Sequence, residues 1–309
     1  MAATPSRGVV AAPLSLRSPA SPPLRIACGG VPLSAFCLAL GAAFMHATWN
    51  VLLAGSRDSE ASTAVATLCG VALLAPVALV TGGVTDAALP FAAASAALHV
   101  AYLALLARAY QGGEVSVVYP VSRGTAPVLV LAFGAAVLGE GATGVQIAGV
   151  LAVSAGVFLV GARRSDPERP HDVRRDLLFG AAIALTIAAY TLVDAEGVDR
   201  AQAPAYLFLL LAPSSVIYAA ALVAGGRGPQ MRSELGPRAF VTGALVVGAY
   251  GSVLAALRLA DAAPVAAVRE SSVVIAALLS AAFLHERVDG RRLAGAALVV
   301  SGVATIALG

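Results

Sequence analysis

The chain of 309 residues is 59% hydrophobic and only 12% charged, with a mean hydropathy of +0.86. A soluble fold of this length needs roughly 25% charged residues to cover its surface, so lipid must be the solvent for most of this one. The net charge of +3 comes from 20 basic residues that are all arginine, scattered through short loops with no stretch long enough to follow a phosphate backbone, which excludes nucleic acid as a partner.

In chain order, residues 1–31 are rich in Pro, Ala and Ser, and the prolines break any apolar run that could serve as a secretory signal; they read as a disordered tail. Apolar runs then predict membrane-spanning helices near 32–54, 62–81, 87–107, 114–138, 144–162, 177–195, 204–224, 239–258, 262–284 and 290–308. Ten helices of about 20 residues would use roughly 200 positions, which the length accommodates. The longest charged connection, 163–176, contains Pro167 and Pro170 and divides the chain nearly in half. This predicts a first five-helix repeat over 32–162, a linker over 163–176 and a second repeat over 177–309.

The halves repeat at an offset of 146 positions, which pairs Arg123 with Arg269, Leu138 with Leu284, Glu140 with Glu286, Gly149 with Gly295, and Gly156 with Gly302. Five spans per repeat is an odd number, so the halves lie in opposite orientations across the bilayer. The expected fold class is all-α integral membrane, with ten transmembrane helices as two inverted five-helix repeats. Such repeats with a site at their interface are an architecture of secondary transporters.

Ionisable groups at membrane depth are costly and face a cavity or a partner. His46, Trp49 and Asn50 share one face of the first span through their i, i+3, i+4 spacing, as a substrate-contacting stripe or as polar contacts between helices. In the fourth span, Tyr119 and Arg123 lie one turn apart among Pro120, Gly124 and Pro127, a set that loosens the backbone ladder and permits a bend. Arg269 occupies the matching place in the ninth span and is followed by Glu270. A mid-membrane arginine costs about 2.5–3.5 kcal/mol on insertion scales. Two of them point either to an anionic substrate or to a buried ion pair such as Arg123 with Glu270, and the two readings can alternate. Glu270 is the first candidate for proton coupling and Asp194, one turn after Tyr190 near the end of the sixth span, the second. His99 and Tyr102 read as packing in the third span. Glu140 and Glu286 end spans four and nine and read as structural, with a Thr143–Gln146 capping box opening the fifth span and Asp289 capping the tenth.

Cys28, Cys37 and Cys69 are too widely spaced for a disulfide framework or a CxxC site. The sequence has no metal-spaced Cys/His cluster, HExxH helix, GxSxG elbow or phosphate loop. It therefore predicts no cofactor, no metal and no enzymatic activity; the expected partners are the lipid bilayer, a small-molecule substrate and protons.

The two repeats, each ending in a helix–Glu–helix–Gly arrangement, resemble the EamA-like family of the drug/metabolite transporter superfamily over roughly 33–308. His46-Ala47-Thr48-Trp49-Asn50, Tyr119 to Gly124, Tyr190 to Asp194 and Arg269-Glu270-Ser271 are similar to a subgroup with a HAxWN stretch, some members of which are associated with phosphonate utilisation. The resemblance implies a central cavity between the repeats, gradient-driven transport, and both termini in the cytoplasm. Arginine placement points the other way, because odd-numbered loops hold 13 arginines against 5 in the tail and even-numbered loops, and the positive-inside rule would put the termini outside.

The expected function is secondary transport of a small anionic or zwitterionic metabolite across a bacterial cytoplasmic membrane by alternating access. Arg123 and Arg269 would hold the anionic group, with Tyr119, Asn50, Trp49, His46 and Tyr190 lining the site. The alternatives are export of amphipathic drugs or amino acids, and a non-transporting membrane sensor on the same fold.

Overall fold

The structure is a computed structural model that describes residues 31–110, 115–161, 172–284 and 289–308. The expected disordered tail, most of the expected linker, and His285 and Glu286 lie outside the described residues. The described chain is helical: α1 (Leu33–Ala54), α2 (Ser59–Thr81), α3 (Leu89–Tyr110), α4 (Val115–Phe133), α5 (Gly144–Gly161), α6 (Val173–Val198), α7 (Ala203–Ala224), α8 (Gly228–Glu234), α9 (Pro237–Leu257), α10 (Ala262–Arg269), α11 (Ser272–Leu284) and α12 (Gly290–Leu308). Among the described residues, ten segments are long and apolar enough to cross a membrane. Helix is the form available to these runs because lipid offers no partner for an open backbone group.

Helix starts follow local chemistry. Asp58, Asp172 and Asp289 accept hydrogen bonds from the backbone N–H groups of Ala61, Arg175 and Arg292 at 3.1, 3.1 and 2.8 Å. Asp172 opens α6 at Val173, four residues ahead of the expected span. The capping box is present, with Gln146 N–H donating to Thr143 Oγ1 at 3.1 Å and Thr143 N–H to Gln146 Oε1 at 3.0 Å. The α4 span ends in a π-helical turn over Gly134–Leu138. Gly139 then reverses the chain at φ 68°, a conformation glycine adopts without steric cost.

Helices pair across the two halves. α1 packs on α9, α3 on α6, α2 on α9 and α7, and α4 on α6. The packing of α5 on α12 shows the symmetry. A Cβ added to Gly302 would fall 2.8 Å from the Gly149 carbonyl oxygen, and one added to Gly295 2.8 Å from that of Gly156. Gly302 is the repeat mate of Gly156 and Gly295 that of Gly149, so each glycine meets the counterpart of the other. Position rises on one helix as it falls on the other, so the equivalent helices are antiparallel, as an inverted repeat requires. Lipid gives no hydrophobic drive for helix association, and small residues that let backbones approach take its place. On α1 the buried residues are alanines (Ala35, Ala39, Ala42, Ala43, Ala47) with Leu53 near the end, while Leu79 and Val80 at the end of α2 stand 82% and 88% exposed.

Arginines tie the loops on one membrane face. Arg227, just before α8, pairs with Asp58 of the α1–α2 connection and, at 2.7 Å, with Glu60 in the first turn of α2. Arg238 at the start of α9 donates to the carbonyls of Leu52 and, at 3.1 Å, Gly55. On the opposite face the corresponding loops meet through Gln202 N–H donating to the Gly83 carbonyl at 3.1 Å and the Thr85 hydroxyl donating to the Arg200 carbonyl at 2.7 Å.

One expected element is corrected. The ninth span, read as a single helix over 262–284, is two helices meeting at Glu270 and Ser271. Glu270 and Ser271 N–H donate to Ala267 and Val268 at 3.0 and 3.1 Å, and Val273 and Val274 N–H donate to Glu270 and Ser271 at 3.0 Å each. These i→i−3 bonds make a tight turn in place of an α ladder. Ser271 stands just ahead of α11, a position where serine is favoured over a helix interior. Glu140 steadies the other end of α10, its Oε1 accepting from Ala262 N–H at 3.1 Å.

Candidate functional site

The break between α10 and α11 brings Arg269 and Glu270 to the buried centre of the bundle, against α1 and α4. Arg123, Arg269 and Glu270 are 6%, 5% and 0% exposed. Arg123 Nε lies 3.1 Å from Glu270 Oε2, and Arg269 Nη2 lies 3.6 Å from Glu270 Oε1. Glu270 thus stands between two guanidiniums, one from each repeat. The ion pair weighed from the sequence, Arg123 with Glu270, is present.

Arg123 also uses Nη2 to donate to His46 Nε2 at 3.1 Å. Guanidinium can only donate, so His46 is a neutral acceptor with its proton on Nδ1. Trp49 meets the His46 ring edge-on, with centroids 4.8 Å apart. Asn50 Nδ2 donates to the His46 carbonyl at 2.7 Å within its own helix. Tyr119 is close enough to act electrostatically on Arg123 and Glu270.

The ion pairs leave much hydrogen-bonding capacity unused. Among the described residues, Arg269 Nε and the hydroxyls of Ser271 and Ser272 are buried with no hydrogen-bond partner, and Arg269 Nη2 has only its 3.6 Å ion pair with Glu270. Each such group costs about 1–3 kcal/mol if nothing satisfies it. Donors concentrated at one break in a helix are a place where an acceptor-rich ligand fits.

A second buried cluster surrounds Asp194, which is 1% exposed within α6 rather than in the loop after it. Its Oδ1 accepts from Tyr206 Oη at 2.9 Å and its Oδ2 from Tyr250 Oη. His99, on α3, stacks on Tyr190 with centroids 4.3 Å apart and meets Tyr250 edge-on at 5.3 Å. Its Nδ1 donates to the Ser95 carbonyl at 2.8 Å. Arg269 acts electrostatically on His46, His99 and Tyr250, and Tyr102 and Tyr190 act on Arg123. The two clusters therefore form one polar layer fed by α1, α3, α4, α6, α7, α9 and the α10–α11 break.

Eight of the nine residues singled out in the sequence as site candidates lie in this layer, while Asn50 bonds the His46 carbonyl within its own helix. Sequence reasoning missed Tyr206, Tyr250 and Ser95 and read His99 as packing alone. The available signal was faint: the chain has only 7 tyrosines and 4 histidines, so each polar ring in an apolar helix merits weighing, but in the repeat frame Tyr250 matches Ala104 and Tyr206 matches Glu60, neither of them a residue that points to Asp194.

No curated protein sequence matches the chain. A crystal structure of another protein, 19% identical, superposes with a TM-score of 0.71 over 88% of this chain and 96% of that one, which shows a shared fold. A family model described as the EamA-like transporter family matches residues 33–162 and again 175–308. With two matched repeats, ten apolar spans and equivalent helices packed antiparallel, the chain belongs to the EamA-like transporter family and is a multi-pass membrane protein.

Proposed function

We propose that this transporter is secondary, moving a small anionic or zwitterionic metabolite across the cytoplasmic membrane by alternating access. The observation that carries the reading is the set of buried, unused donors at the α10–α11 break: Arg269 Nε and Nη2 with the Ser271 and Ser272 hydroxyls. An anionic group accepts from several donors at once, and charge-assisted bonds of this kind are about twice as strong as neutral ones. Arg269 and Arg123 hold that group, while Tyr119, Asn50, Trp49, His46 and Tyr190 shape the space around it.

The same contacts suggest how binding changes conformation. Glu270 links an arginine of the first repeat to one of the second. A substrate anion competes with Glu270 for these guanidiniums, so binding loosens a central bond between repeats and lets one rock against the other. Protons supply the driving gradient through a buried carboxylate, Glu270 or Asp194.

The test is uptake into proteoliposomes from a mixed pool of bacterial metabolites read by mass spectrometry, with and without a pH gradient, beside an Arg269→Ala variant shown to be folded. The expected result is gradient-dependent accumulation of an anion or zwitterion that the variant loses. Normal accumulation by the variant overturns the site. A second reading, export of amphipathic drugs or neutral amino acids with structural arginines, draws on the Arg123–Glu270 pair; accumulation of neutral or cationic compounds alone would select it.

A further inference from the structure

The two buried carboxylates of the polar layer have different neighbours. Glu270 lies against two guanidiniums at 3.1 and 3.6 Å. Asp194 has neutral hydrogen-bond donors instead: Tyr206 of α7 and Tyr250 of α9, with Ser95 of α3 also in reach. The titratable groups facing it are these two tyrosines, His99 of α3, and Tyr190 on its own helix, which stacks on His99. Arg269 at the end of α10 acts on His99 and Tyr250 rather than pairing with Asp194. No arginine pairs with Asp194 among the described residues.

Counted with both carboxylates ionised and both histidines neutral, the charges in this layer also sum to zero: Arg123 and Arg269 balance Glu270 and Asp194, and His46 accepts from Arg123. A monoanion arriving at the free donors of Arg269 would leave one uncompensated negative charge away from water, which is heavily disfavoured. One proton restores the balance. From this geometry we infer that Asp194 takes up one proton for each monoanion bound at Arg269, so that substrate and proton cross together with no net charge moved. The proton adds to a carboxylate oxygen of Asp194 from one aqueous side and leaves it to the other. Glu270 keeps its 3.1 Å contact with Arg123 while its longer contact with Arg269 yields to the anion. This inference rests on the anion-binding reading above.

The assignment can be tested without a substrate. Arg269→Gln removes one positive charge, the same change in net charge that an anion makes on binding. Infrared spectra of the full-length protein in lipid, at neutral pH, should show a protonated-carboxyl band in Arg269→Gln that is absent from wild type and from Arg269→Gln/Asp194→Asn. A band already present in wild type, no band in Arg269→Gln, or a band that survives Asp194→Asn overturns the inference. Should Arg269→Gln fail to fold, Asp194→Asn in proteoliposomes decides. Its pH-driven accumulation from the metabolite pool should fall at least tenfold while exchange of the same compound persists, and wild-type accumulation overturns the inference. The two readings fail separately: wild-type flux in Arg269→Gln removes the anion site itself, whereas flux lost there but still gradient-driven in Asp194→Asn removes only the proton assignment.

Discussion

Spans four and nine are repeat mates, and they handle the same problem in opposite ways. Span four contains Pro120, Gly124 and Pro127, every ingredient of a broken helix, yet α4 runs unbroken from Val115 to Phe133. Span nine has Pro264 near its start, where proline is tolerated, and it breaks at Glu270. The difference lies in what occupies matching places: Gly124, Thr125 and Ala126 on one side, Glu270, Ser271 and Ser272 on the other. A Cβ on Gly124 would lie 2.7 Å from the Phe158 ring, whereas the counterpart of Phe158 is Ala304. Bulk on α5 in one repeat is exchanged for a charged side chain in the other. Symmetry sets the scaffold, and departure from it at three positions makes the site.

The largest test of this contrast is the same change at equivalent positions. Arg269→Ala should abolish transport while the protein stays folded, because its guanidinium is the less engaged of the two. Arg123→Ala removes the partner of both His46 and Glu270, and breaking a buried pair costs about 3–5 kcal/mol, so it should also lower the melting temperature and yield. Equal thermal stability in the two variants would show that the repeats use their arginines alike.

Crowding the seam should come next. Gly302→Leu meets the Gly149 carbonyl and should cost about 1–3 kcal/mol, read as a lower melting temperature. Gly124→Ala strikes a side chain that can rotate, so Phe158→Ala should rescue it, making span four more like span nine; failure of the rescue would mean that other contacts hold α4 straight. Ser271→Ala with Ser272→Ala leaves every charge in place and removes two free donors. A roughly tenfold weaker apparent substrate affinity, about 1.4 kcal/mol, is expected, and an unchanged one would place the serines outside the site.

The smallest effect is at the membrane surface. Partial burial alone would raise the Asp58 carboxyl, but bonds from Arg227 and the Ala61 N–H outweigh it and hold it below its ordinary 3.8. Its stabilisation is therefore present above that value and lost as pH falls through the lower folded-state value. For a part-exposed pair it amounts to under about 1 kcal/mol. Asp58→Asn should remove this acid-labile component from a pH series of melting temperatures, and an unaltered profile would assign it elsewhere.

Much of the fold was legible because lipid makes hydropathy almost decisive: each predicted span lies within a few residues of an observed one. The inverted repeat was legible from glycines and arginines in one frame. The break at Glu270 was not, since it rests on Ser271 favouring a helix start and on Glu140 holding Ala262 from 122 positions away. Arg123 with Glu270 was legible as one of two readings, because a buried arginine needs a partner and few were on offer. Tyr206 and Tyr250 were not, because only tertiary packing carries them to Asp194 from two other helices.

The cross-half pairing of helices has a consequence for how this chain is made. Arg123 enters the membrane well before its partner exists, because Glu270 follows 147 positions later. At synthesis rates of about 5–20 residues per second, that gap lasts roughly 7–30 s. During it α4 has neither Glu270 nor the packing of α6, and its arginine must be held by water, headgroups or the insertion machinery. Because α1, α3 and α4 pack on helices of the second half, the first five helices wait for the second five to complete their packing.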